Sequence, residues 1–138
     1  MCLAIYIASD KPLPLISWVE EKPSFYVEDA NNNNAGVKKQ FKYQYIYYAG
    51  SHEGCGCGFF KDGEVGDELA KVEENYTNFS EFIKNAKKSG AKLQIFSCWE
   101  GDQTAEPEFR EEINEANLNE KQFEFKEKAL YQIVWVGV

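Results

Sequence analysis

A chain of 138 residues with 43% apolar and 15% aromatic residues has the material for one folded domain, and this is not the composition of a disordered segment. Fifteen basic residues against 23 acidic ones give a formal charge of −8; that field repels phosphate backbones and anionic lipid, which sets nucleic acid and membrane surfaces aside as partners. No run approaches the ~20 apolar residues of a transmembrane helix.

The opening MCLAIYIASD has no basic region before its apolar stretch, so it is not read as a signal peptide and the expectation is a cytoplasmic protein. In a reducing compartment the four cysteines are thiols or metal ligands rather than disulfides. Cys2 to Ala8 is almost all apolar, which predicts a strand covered on both faces. The Met1-Cys2 start resembles that of the N-terminal-nucleophile amidotransferases over those two residues. The apolar run around Cys2 reads it instead as a buried strand cysteine.

Pro12 and Pro14 keep the next stretch extended, and Pro23 to Glu28 reads as a second, shorter strand. Asp29 to Gly36, with four consecutive asparagines, is an exposed loop. Val37 to Ala49 is the longest strand candidate, with Tyr43, Tyr45 and Tyr47 on one face and Gln44, Ile46 and Tyr48 on the other. Those tyrosines suit a sheet face packed under a helix. Lys38, Lys39 and Lys42 beside them have the make-up of a single-strand nucleic-acid platform, which the overall acidity opposes.

Asp67 to Glu74 is a short helix candidate whose carboxylates lack calcium-loop spacing. Asn78 to Lys88 is the firmest helix, capped by Asn78 with Glu81 at the capping-box position and striped by Phe79, Phe82, Ile83 and Ala86. Ala91 to Cys98 follows as a strand. Pro107 to Ala116 reads as a second amphipathic helix through Phe109, Ile113 and Ala116. Gln122 to Phe125 and Ala129 to Val138 read as two strands or one long bulged strand. The whole is a single α+β domain over residues 1–138, a mixed β-sheet with about two or three helices packed on it.

The densest chemistry lies in Tyr43 to Phe60, YQYIYYAGSHEGCGCGFF, where Gly50, Gly54, Gly56 and Gly58 frame His52, Glu53, Cys55 and Cys57. If the strands flanking the Asn78 helix are parallel, their C-terminal ends share a rim. The glycine loop then meets Cys98-Trp99-Glu100 there, with Asp10 joining them if the first strand is also parallel. His52, Cys55, Cys57 and Cys98 are the candidate metal set, a tetrahedral one for zinc, whose soft sulfurs also suit copper(I) or an iron-sulfur centre. Cys55 activated by His52, with Glu53 (or, from the shared rim, Glu100) orienting the imidazole, is the candidate catalytic set. Gly-x-Gly-x-Gly without Gly-Lys-Ser/Thr is a poor phosphate loop. Alternatively the glycines only permit a tight excursion, with both cysteines tucked inward.

Two functions follow: a small metal- or thiol-dependent protein centred on this loop, or a non-enzymatic acidic module that binds a protein partner. The second uses the C-terminal half, where ten carboxylates between Glu100 and Glu127 face Arg110, Lys121, Lys126 and Lys128.

Overall fold

A computed structural model describes residues 3–135. Its centre is β1 (Leu3–Ser9), seven residues all buried. An unbroken apolar strand must be covered on both faces, and it is. Leu3, Ile5 and Ile7 enter one core cluster, while Ala4, Tyr6 and Ala8 enter a second on the opposite face. The expected strand began at Cys2, which lies outside the described residues.

The sheet has six strands in the order β2-β3-β1-β4-β6-β5, with β2 at Tyr26–Asp29, β3 at Tyr45–Gly50, β4 at Leu93–Trp99, β5 at Phe109–Ile113 and β6 at Ala129–Ile133. The β5–β6 pair is parallel and the other four pairs are antiparallel, so the sheet is mixed. One helix, α1 (Gly66–Lys88), packs on the face that carries Ile5, Ile7 and Tyr47. Three short 3-10 turns complete the regular structure among the described residues. This is an α+β-like arrangement, with one helix where two or three were expected.

The helix is longer than the sequence suggested because Val72, Tyr76, Phe79, Ile83 and Ala86 continue a single buried stripe. Asp67 and Glu68 sit in its first turn and Lys87 and Lys88 in its last, each matching the helix dipole. Asn78 is therefore an interior residue and not a cap; its amide donates to Ser24 Oγ at 3.3 Å. Gly90, at φ +79°, ends the helix, and the Ala91 N–H returns to the Ala86 carbonyl.

The stretch expected as a second helix, Pro107 to Ala116, contains β5 instead. A helix through Phe109 and Ile113 would bury both, yet Phe109 is 41% exposed and Ile113 pairs with Ile133. Asn114 closes the strand by accepting the Ala116 and Asn117 N–H groups on Oδ1, a local turn that competes with helix. Gln122 to Phe125 is not a strand. At its end the chain is tied by tyrosine hydroxyls, with Phe125 N–H donating to Tyr76 and Lys126 N–H to Tyr131. Likewise the long strand expected over Val37 to Ala49 enters the sheet only from Tyr45, as β3, and runs on to Gly50, since Val37–Gln40 is a 3-10 turn entered through Gly36 at φ +84°.

β3 and β4 do run the same way, each antiparallel to β1 between them. Their C-terminal ends share a rim with the start of β1. Asp10 is consequently at the far rim, correcting its expected place, and its carboxylate accepts the Lys92 N–H at 2.7 Å.

Candidate functional site

β3 delivers the chain to the rim at Gly50, and the loop that follows wraps it from one face to the other. Gly50 has no room for a side chain, because the Tyr26 ring lies over it. The Tyr26 hydroxyl then donates to the Gly54 carbonyl at 2.6 Å, and Trp18 donates through Nε1 to the His52 carbonyl at 3.1 Å. The loop is thus held from outside by two aromatic side chains.

From inside it is held by two buried polar groups. Ser51, fully buried, accepts the Gly58 N–H on its hydroxyl oxygen at 3.0 Å and donates to the Cys55 carbonyl at 2.6 Å. Asn75 of α1, 1% exposed, accepts the His52 N–H at 3.1 Å and donates to the Gly58 carbonyl at 3.1 Å. These bonds fix which end of the Asn75 amide faces the imidazole. Its Nδ2 donates to His52 Nδ1 at 2.8 Å, so the neutral ring carries its proton on Nε2. Phe59 closes the loop as a core residue with no exposure.

The Asn75 clamp predicts a measurable effect. Asn75→Ala leaves the buried Gly58 carbonyl and the His52 N–H without partners, which is expected to cost about 2–3 kcal/mol in urea denaturation. A loss below about 1 kcal/mol, within the range of one net hydrogen bond, would show that the loop holds itself.

Within this frame the ligand atoms of Glu53, Cys55 and Cys57 all lie within 4.8 Å of one another. Cys55 precedes the 3-10 turn Gly56–Phe59 and takes the N-cap role, its sulfur accepting the Cys57 N–H at 3.4 Å. That bond folds the Cys-x-Cys pair back on itself, where an extended strand would splay it. Glu53 is exposed and both cysteines are half-buried. A second group, His52, Glu53 and Glu68, also lies within 4.8 Å, Glu68 coming from the first turn of α1. Glu53 belongs to both.

Cys98 is in neither group. It is fully buried with Ala4, Tyr6 and Phe96 on the face away from α1. Burial, then the carboxylates of Glu100 and Asp102, push its thiol up to about 12. The rim thus carries the strand bearing Cys98, but its sulfur is a core group.

Asn75, Ser51 and Glu68 were not singled out by the sequence reading. One signal existed for Asn75: it sits three residues after Val72 and four before Phe79, a polar residue on an apolar stripe. No protein-family model, curated protein sequence or solved structure matches this chain, so the reading of the site rests on its own geometry.

Proposed function

We propose that the glycine loop is a metal-binding site for a zinc-class ion, with Glu53, Cys55 and Cys57 as its protein ligands. The observation that carries this reading is the convergence of their three donor atoms within 4.8 Å on a loop already held by Ser51 and Asn75. Tetrahedral zinc with thiolate and carboxylate bonds of about 2.0–2.3 Å sets its donors about 3.3–3.8 Å apart, inside that limit. Two sulfurs and one carboxylate leave a fourth position, which suits an ion that also holds water or a substrate.

The tautomer of His52 favours this set over thiol catalysis. With Nδ1 accepting from Asn75 and the proton on Nε2, neither ring nitrogen is presented as a base toward Cys55. His52 instead presents an N–H donor in the group that contains Glu53 and Glu68, where it can orient a ligating carboxylate.

Protein purified without chelator is expected to hold close to one zinc per chain. Cobalt substitution is expected to give the near-ultraviolet charge-transfer band of thiolate coordination. Cys57→Ser and Glu53→Gln are each expected to weaken zinc binding by more than the roughly 10–100-fold that losing a supporting hydrogen-bond partner costs, in a chelator competition, whereas Cys98→Ser leaves it unchanged. Metal-free protein whose melting temperature does not respond to zinc would overturn the proposal.

A further inference from the structure

On the sheet face away from α1, we infer a binding site for a small organic cation, an alkylammonium or guanidinium head, in a cavity of about 300 Å³ walled by Tyr6 and Tyr48 and rimmed by Glu28, Asp29 and Glu100. Strand register builds it. Tyr48 stands opposite Glu28 across one ladder and opposite Tyr6 across the other, which places a carboxylate and two rings in one row. The Tyr6 and Tyr48 rings meet edge to face, with centroids 5.5 Å apart at 72°, and so form two walls of a corner. Ring faces carry negative charge density that attracts a cation, most of all one too bulky to be strongly hydrated.

The carboxylates are arranged for the same charge. Gln103, 6% exposed, donates through Nε2 both to Tyr6 Oη at 3.2 Å and to Glu100 Oε1 at 2.7 Å, and it accepts the Gly101 N–H at 2.8 Å. Glu100 is thereby fixed relative to the Tyr6 ring. Asp29, in register with Tyr47 of the opposite face, borders the cavity only from the strand edge, its carboxylate held by the N–H and side-chain amide of Asn31. No lysine or arginine lines the cavity. Among the described residues none of the three carboxylates has a cationic partner within 4.0 Å.

Size and spacing select the class of ligand. The oxygens of Glu28, Asp29 and Glu100 do not converge within 4.8 Å as a compact metal site requires. They stand apart around aromatic walls, which matches a diffuse cation several ångströms across. The volume is at the small end of ligand pockets, which begin near ~300 Å³, so the occupant is a head group and not a drug-sized molecule.

The test is an NMR titration of the full chain with choline and with its neutral isostere 3,3-dimethyl-1-butanol. Choline is expected to shift Tyr6, Tyr48 and Ala30 saturably and to bind about tenfold or more tightly than the isostere. Glu28→Gln/Glu100→Gln, at two exposed positions, is expected to weaken choline by at least about tenfold while leaving the fold intact. Tyr48→Leu is expected to remove the preference for choline over the isostere. N-acetyl-lysine amide and N-acetyl-arginine amide run alongside. If either binds more tightly than choline, the head group comes from a protein side chain; the reverse order assigns a free amine. Equal binding of choline and its isostere, or choline binding that survives the double carboxylate variant, would overturn the inference.

Discussion

Titration to alkaline pH is expected to unfold the protein cooperatively in a narrow range above pH 10. The hydroxyls of Tyr6, Tyr26, Tyr47, Tyr48, Tyr76 and Tyr131 are all raised from their ordinary value of 10.0, and burial is the leading cause for each. Tyr26 is pushed up to about 12, and Cys98 rises from 9.0 to about 12. All of these are acids whose neutral form the fold prefers. Above the unfolded values the folded chain holds more protons than the unfolded one, so stability falls as pH rises. The contribution is fully present below pH 9 and is lost progressively up to about pH 12.

Every one of these shifts acts in the same direction, and total stabilities of ordinary domains are only about 5–15 kcal/mol, so their joint loss is expected to bring the chain to unfolding. Tyrosinate absorbance and far-ultraviolet circular dichroism should change together. Tyrosines that ionise near pH 10, one by one, while the dichroism stays native would refute the account.

Gly56→Ala is expected to be the most damaging single change in the loop. A Cβ at Gly56 would stand 1.9 Å from the Leu3 carbonyl oxygen and 2.8 Å from its carbon, both backbone atoms of the central strand that cannot step aside. Relief requires moving the loop off β1, at a cost of about 3 kcal/mol or more. Gly63→Ala is the control: unlike Gly56 it needs a left-handed conformation, φ +79°, but its Cβ meets nothing within 4 Å. Its cost is about 1 kcal/mol, set by the conformation alone. If the two variants melt alike, the loop does not seat on Leu3. Gly56→Ala should in addition weaken zinc binding, since Cys55 and Cys57 flank the displaced residue.

What could be read from the residues was whatever local pattern and burial both favoured. The run from Leu3 to Ala8 and the stripe from Phe79 to Ala86 satisfy propensity, periodicity and packing at once, and both are where they were expected. Phe109 to Ile113 carries a helical spacing, but its fate was decided by pairing with β6, a contact absent from any local window. The loop was conspicuous because its histidine and two of its cysteines fall within six residues. Its supporting groups were not, since Ser51 and Asn75 are ordinary residue types whose role comes from burial. Glu68 reaches the loop only because it lies in the first turn of α1, which begins at Gly66, a few residues after the loop. Cys98 was legible as a rim residue by topology, but the parity of β4 turned its side chain to the other face.

The place of β1 in the sheet bears on how the chain emerges during synthesis. Its two neighbours are β3 and β4, and the second of these starts only at Leu93. At roughly 5–20 residues per second, β1 spends on the order of ten seconds outside the ribosome with at least one edge unpaired. Its sequence, LAIYIAS, is apolar, uncharged and free of proline, the character of a segment that joins other strands between chains. Nascent copies on one message therefore compete with β4 for that edge, and crowded polysomes favour the intermolecular pairing. Refolding from denaturant carries the same hazard at high protein concentration, because most of the sheet must be brought together across long stretches of chain before its centre closes.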